Sequence, residues 1–557
     1  MKQKLFPVIV FSTAAICVMV LLGLIKSTST TVLAAGEKIS AVESASMKAI
    51  AEPVTVITVT SGIDPDDSKS KTCYTGSSAT TPCTLRRAIV EARNLSDTQR
   101  PVLIKFDIPA QSSEGYDSSL KIWKIDIYPT TDTAVFRRLN GEIIIDGSTQ
   151  PGGRTTGPKI TIVGPGTGNK DGLIVGDVAG DNGHEIRGLG FQNFKTHMYV
   201  NTANNVIADN WFGLSDNGTD VYLRNDEPED GSGSAAIAMA SGSSGNTIQN
   251  NVFLGFDGVA AAIRGDSNTF LMNYVGTISD GTVPGKETDP QLLCTTEDWL
   301  GGGGISVDGD DHVIEDNIFA GIRQEIFVIS TQPSAIQVGG DGHTVQNNKI
   351  GVDSADNEVG VCGRGIYLIS DPEDNQLTDN TIVYPGLSGI SLNGALFDAN
   401  TLRRNTIKAR SGWTEIEGNA KPEDAIQLGA GLPDAFESFI PAKITEIDGT
   451  TVKGGSGENS PCAGCRIELF LDDTDLITEA LQSLDVVTAG ADGKWTATIP
   501  SKLSTSQGIR TTSTSMKYNT IPNMSSGTTT GLSILYTESG GPGGGNQLFM
   551  PLVINKD

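Results

Sequence analysis

Asn246-Thr-Ile-Gln-Asn-Asn-Val-Phe253 and Asn268-Thr-Phe-Leu-Met-Asn-Tyr-Val275 are two copies of one pattern. An Asn or His is followed two residues later by an apolar residue. Three residues further comes an inner Asn, and two beyond that a second apolar residue. The pattern occurs eight times, starting at His184, Asn205, Asn246, Asn268, His312, His343, Asn375 and Asn400. All sixteen apolar positions are filled, from Ile186 and Phe191 in the first copy to Leu402 and Ile407 in the last. The inner asparagines are Asn210, Asn251, Asn273, Asn317, Asn348, Asn380 and Asn405, with Leu189 in their place in the first copy. The starts lie 21, 41, 22, 44, 31, 32 and 25 residues apart. A unit near 22 residues fits, with 41 and 44 as double steps or insertions.

A second pattern, small-apolar-x-apolar, precedes most copies, as in Gly304-Ile-Ser-Val307 and Gly365-Ile-Tyr-Leu368. Each unit therefore offers two or three short alternating strands with tight corners. No unit holds ten residues of helical periodicity, which excludes a helical repeat. Short strands at this period predict an all-β fold, a right-handed parallel β-helix. Each coil adds one rung, about 4.8 Å from the next. The inner Asn is expected at a corner, in the left-handed conformation that Asn tolerates, with its amide bonded to the Asn of the adjacent rung. Residues 99–435 would form about a dozen coils and roughly 60 Å of rod at that spacing.

The flanks divide the rest. Thr84-Leu-Arg-Arg-Ala-Ile-Val-Glu-Ala-Arg93, within an N-terminal segment 36–98, is the clear amphipathic helix and is placed to cover the open end of a solenoid. The period disappears after 435. Residues 436–538 read as a small Ig-like β-sandwich, with Ala491-Asp-Gly493 as a hairpin turn and Trp495 in its core. A Gly-rich linker and an apolar tail, Leu548-Phe-Met-Pro-Leu-Val-Ile554, occupy 539–557. The tail resembles the short Phe/Leu-x-Pro-Leu-Val ends of many exported proteins of filamentous green bacteria.

Residues 1–35 read as a signal peptide: Lys2 and Lys4, an apolar run from Leu5 to Ile25, then Val32-Leu-Ala-Ala35. The protein is expected to be secreted or displayed at the cell surface, with no membrane insertion once this segment is cleaved. An uncleaved anchor is the alternative. Six cysteines lie beyond it, an even number that favours disulfides in an exported protein. Cys73–Cys83 closes a short loop, Cys462–Cys465 a turn, and Cys294–Cys362 remains by elimination.

The 557 residues carry a net charge of −26, and residues 1–35 hold three lysines and no acids. That charge excludes most nucleic-acid partners, which need a basic face.

Cys83-Thr-Leu-Arg-Arg-Ala88 resembles the Cys-Ser-Leu-Arg-Glu-Ala motif of exported bacterial proteins, departing from it at Thr84 and Arg87. Ile145-Asp-Gly-Ser-Thr-Gln-Pro-Gly152 is similar to another segment of that family. The resemblance covers about 70–430. It implies pectate-lyase-like β-helix repeats, a C-terminal Ig-like partner and a surface location, and it carries no catalytic residue.

No catalytic signature is present, and no catalytic or cofactor-binding residue is assigned. A lyase of this architecture needs carboxylates that hold Ca²⁺ and a base near the sugar. The best cluster is Asp308-Gly-Asp-Asp311, with Arg264 and Arg323 on nearby coils; the plainer reading is a solvated turn. His184, His312 and His343 occupy a repeat position and read as corner residues, which leaves His197 off the pattern. No cofactor is expected beyond a structural Ca²⁺, for which Asp64, Asp66 and Asp67, or Asp472, Asp473 and Asp475, supply candidate loops. Trp299 and Trp413 sit in insertions where they could stack on sugars.

The first functional reading is a non-catalytic surface rod that acts in adhesion or as envelope structure. Its expected partners are an extracellular glycan or other surface proteins. The second is a polysaccharide lyase or glycoside hydrolase with a site on the coil groove near 264–325. The third is a subunit that self-assembles into a layer or filament.

Overall fold

The computed structural model describes residues 52–64, 73, 82–128, 135–166, 168, 170–177, 181–225, 232–283, 303–322, 334–393, 399–409, 425–428, 439–455, 463–475, 477–516, 526–538 and 541–542. They belong to one compact unit, Glu52–Asp557. The signal peptide, Asp66, Asp67, Cys294, Trp299, Arg323, Trp413, Cys462 and the apolar tail lie outside the described residues.

The fold is all-β, and its body is a right-handed parallel β-helix. Three parallel ladders run its length, of eleven, nine and eleven strands. The first begins at Thr55–Val59 and Val102–Phe106 and ends at Thr401–Arg403. The third ends at Thr406–Lys408 and opens with a short antiparallel pair, Tyr116–Asp117 against Ile122–Asp126. The first rung thus lies earlier than 99, because Thr55–Val59 pairs in parallel with Val102–Phe106. Every repeat copy is a single rung: Ile207 pairs with Ile248 and Phe270 with Ile314. The 41- and 44-residue steps are therefore insertions, not double steps.

Apolar side chains at the two repeat positions point inward and stack on their copies. Phe191, Phe212 and Phe253 form one such column, with ring centroids 5.1 Å apart; Val275 takes the next place in it, and Phe270 from the other repeat position lies 5.8 Å from Phe253 and 6.2 Å from Phe319. The residue before each inner Asn has positive φ: Asp209 57°, Asn250 54°, Met272 52°, Asp316 55°, Asn347 56°, Asp379 58° and Arg404 49°. The inner Asn itself does not. This corrects the expectation that Asn adopts the left-handed conformation. The preceding residue makes the corner, and the Asn then points into the core.

Each buried inner Asn accepts from the rung before it. Asn317 Nδ2 and its backbone N–H both donate to Asn348 Oδ1, at 2.9 and 3.1 Å, and Asn348 Nδ2 donates to the Ile314 carbonyl at 2.9 Å. The same set repeats from Asn210 to Asn405. A second row runs through the first repeat position. There His312 and His343 replace Asn, with Nδ1 accepting the backbone N–H of Asn268 and His312 at 3.1 Å each.

Both ends are closed. Leu85, Ala88, Ile89 and Ala92 of the helix Leu85–Arg93 are fully buried at the N-terminal end, and Thr84 caps that helix. Cys73 and Cys83 form a disulfide beside it. At the other end sits an antiparallel module of a three-stranded and a five-stranded sheet, around Ile467, Leu469, Trp495 and Ile509. Its strands Gln482–Thr488 and Trp495–Thr498 join different sheets, so Asp492-Gly493 is a turn between sheets and not a β-hairpin. Cys362 and Cys465 are each disulfide-bonded.

The module completes the last coil. Ile407 and Ala480 exchange both backbone hydrogen bonds. Glu468 Oε1 accepts the Arg404 N–H at 2.8 Å, where Arg403 O serves Asp379 one rung earlier. Thr528 and Thr529 hydroxyls accept the N–H groups of Ala399 and Leu402. Phe470, Ala480 and Leu532 extend the solenoid core itself.

Candidate functional site

The turn near Asp308 is structural. Asp266 Oδ1 accepts the Asp310 N–H, Asp310 Oδ1 accepts the Asp341 N–H, and Asp341 Oδ1 accepts the Glu373 N–H, at 3.2, 3.0 and 2.8 Å. This is a carboxylate row that repeats the logic of the Asn rows. Asp311 takes the left-handed position before His312. Arg264 lies opposite Asp308 on the adjacent rung.

The histidines are interior. His312 and His343 stack at 5.1 Å, and burial holds His343 down to about 4. His197 is wholly buried between Phe194 and Phe256, its Nε2 is 3.1 Å from the Ser232 carbonyl, and burial pushes it down to about 3. Asp64 is held by the buried Arg86 guanidinium, 2.6 Å away.

Asp472 and Asp473 come together with Glu479, which sequence reading did not include. One oxygen from each lies within 4.8 Å of the others, beside a cavity of about 490 Å³ that Asp475 also lines. This is the one acidic group of metal-ligand geometry among the described residues. Asp472 and Glu479 already have partners. Arg510 Nε pairs with Asp472, and Glu479 Oε1 accepts the Ala409 N–H at 2.6 Å. Burial raises Asp472 to about 6 against the pull of Arg510; burial and the Asp472 charge raise Glu479 to about 8.

Both groups bind their proton more tightly in the folded state than a free carboxyl near 4 does. Their contribution to stability is complete below that range and is lost as pH rises through about 6 and then about 8. The melting temperature should fall between about pH 4 and 8, and Glu479→Gln should flatten the part of that fall above about pH 6. Parallel profiles for the two proteins would contradict this.

A second groove lies at the corner between the first and third ladders. It has a volume of about 280 Å³ and is lined by Gly157, Asp209, Trp211, Asn250, Val252, Met272, Tyr274 and Ser279. Two rows build it. Asp209, Asn250 and Met272 are successive corner residues. Trp211, Val252 and Tyr274 are successive outward residues of the third ladder, in register. Arg154 lies 4.5 Å over the Trp211 ring and is lowered to about 10 by burial. A Cβ at Gly157 would come within 2.2 Å of that ring, so only glycine lets the loop close on it. Trp211 is thereby fixed before any ligand arrives.

Beyond Asp209 lies a charged patch. Arg187 bridges Asp146 at 2.8 Å and Glu185 at 2.5 Å. Burial raises both Glu185 and Asp209. Glu185 is 3% exposed, and its Oε2 has no hydrogen-bond partner. None of these residues stood out in the sequence, because each is a variable position of its repeat. A signal was available in Trp211 and Tyr274, which fill the same position two copies apart.

No protein-family model matches the chain, and no curated protein matches it by sequence. Among solved structures it is similar to the A-module of the Azotobacter vinelandii mannuronan C-5 epimerase AlgE4. That match has 13% identity over 63% of this chain and 91% of the other, with a TM-score of 0.33. The Dettilon tailspike protein gp208 is 12% identical over 82% of this chain and 93% of its own, with a TM-score of 0.35. The catalytic domain of a GH87 α-1,3-glucanase is 12% identical over 69% and 70%, with a TM-score of 0.32. These likenesses extend to no activity; the parallel β-helix stands on this chain's own ladders. No described helix is long and apolar enough to cross a membrane.

Proposed function

We propose that the protein is an exported, surface-displayed β-helix rod that holds an extracellular glycan without turning it over, as an adhesin or envelope component does. The groove carries this reading: a fixed Trp211, with Tyr274, Met272, Asp209 and Asn250 in two rows along the rod. Apolar surface with a few placed polar groups is what sugar rings and their hydroxyls require. The non-catalytic part of the reading is supported by the histidines and the Asp310 row, which serve backbone N–H groups. Export is supported by the N-terminal segment, the disulfide and the motif at Cys83–Ala88. An Ig-like antiparallel module fits the same family resemblance.

Glu185 favours a second reading. A buried carboxyl with raised affinity for its proton and an unpartnered oxygen, near Asp146 and Asp209, has the chemistry of a general acid for glycoside hydrolysis.

The test is a polysaccharide panel: dextran, hydroxyethylcellulose and mannan against alginate and polygalacturonate. It uses residues 36–557 and follows retention, new reducing ends and unsaturated products. Retention without product is the expected result. Product that disappears in Glu185→Gln would establish the enzymatic reading instead, and no retention on any polymer would remove both.

A further inference from the structure

One residue of the groove is disfavoured by the geometry it adopts. The corner before the inner repeat position requires positive φ in every copy. It is filled by Gly188, Asp209, Asn250, Met272, Asp316, Asn347, Asp379 and Arg404. Gly meets no penalty there, and Asn and Asp offset it with local hydrogen bonds. Arg404 is anchored by its ion pair with Asp379, at 2.5 Å. Met272 has a Cβ and no polar group to bond the backbone. It is also 45% exposed, so core packing does not hold it there. Residues kept in such a conformation without a structural return collect at ligand sites.

Its surroundings say what it could serve. Met272 lines the groove with Asn250 on the preceding rung and Tyr274 two residues on. Trp211 and Tyr274 are two rungs apart, about 9.6 Å at ordinary strand spacing, which is the span of a disaccharide. Asp209 and Asn250 complete the facing row and hydrogen-bond to each other.

We propose that Met272 is a ligand contact: with Tyr274 it forms an apolar strip on which the C–H faces of an uncharged polysaccharide lie, the chain running parallel to the rod axis. This rests on the groove being the glycan site. The absence of charge on the ligand follows from the net charge of −26, with Asp209 in the facing row and with Asp146 and Glu185 already paired to Arg187. That field repels a polyanion.

The experiment compares full-length mature wild type with Met272→Asn and Met272→Gly, both of which suit the corner. Melting temperature is measured beside affinity electrophoresis in hydroxyethylcellulose, dextran and mannan, with alginate as the charged counterpart. Both variants should melt at or above the wild-type temperature. Affinity for the uncharged polymer that wild type binds should fall about tenfold, the equivalent of one good contact. Unchanged affinity in both variants would overturn the role of Met272 and leave the groove standing. A lower melting temperature in both would overturn the argument from backbone conformation. Wild type that binds alginate alone would overturn the ligand class. Wild type that binds no polymer would overturn the glycan site itself.

Discussion

Asn348→Leu should cost on the order of 3–6 kcal/mol, several times what a surface Asn substitution costs. Asn348 is fully buried, and its side-chain amide makes four hydrogen bonds, two from Asn317 and one each to the Ile314 carbonyl and Asn380 Oδ1. Replacing it strands the N–H and side-chain amide of Asn317 and the carbonyl of Ile314, at about 1–3 kcal/mol for each unsatisfied buried group. Leucine returns part of this through apolar burial, about 1.5–3 kcal/mol at most, but it has no room to stack in a row of amides. Asn347, one residue earlier, points outward, so Asn347→Asp should change stability by less than about 0.5 kcal/mol. Urea titration of both variants checks the pair. Equal midpoints would mean that the Asn row adds nothing beyond the apolar columns.

A chain ended after residue 435 should fail to give a soluble, cooperatively folding rod. The antiparallel module supplies acceptors that the last coil lacks: Glu468 for Arg404, Glu479 for Ala409, and Thr528 and Thr529 for Ala399 and Leu402. It also places Phe470, Ala480 and Leu532 on the exposed end of the core. Solenoids need such a cover, because each coil buries its apolar face only against a neighbour. Phe470→Ala in the full chain tests the same contact more gently, with an expected loss of about 3–5 kcal/mol. A truncated chain with wild-type far-UV circular dichroism and melting temperature would show the module to be an appendage.

These two predictions differ in how far their basis could be read from sequence. The Asn rows were legible because each acceptor serves an identical neighbour one coil away, so the requirement recurs at a fixed offset. Their backbone conformation was misassigned, although the clue was present: Asn or Asp precedes most inner asparagines, as at Asp209, Asn250, Asp316, Asn347 and Asp379. The cap was not legible. Glu468 and Arg404 are 64 residues apart, and Thr529 and Leu402 are 127 apart, with no periodicity to connect them. Asp492-Gly493 misled because a turn dipeptide fixes the local bend and not which sheet receives the next strand.

The groove was hidden for a related reason. Trp211, Val252 and Tyr274 occupy outward positions, where the solenoid imposes no identity and the copies are free to differ, and the corner residues beside them answer to backbone conformation. Asp308, Asp310 and Asp311 drew attention because acids cluster there in sequence, yet Asp310 and its neighbours Asp266 and Asp341 hold consecutive turns together. Glu185 and Asp146 stand 39 residues apart in the chain and meet only through Arg187.

Hydrogen exchange of the mature chain, with and without the uncharged polysaccharide it retains, tests the glycan site most directly. Protection should rise in peptides covering 206–214, 247–254 and 269–279, with the polymer recovered intact. Protection confined to the antiparallel module or to the face near Asp308, or recovery of shortened polymer, would contradict the account.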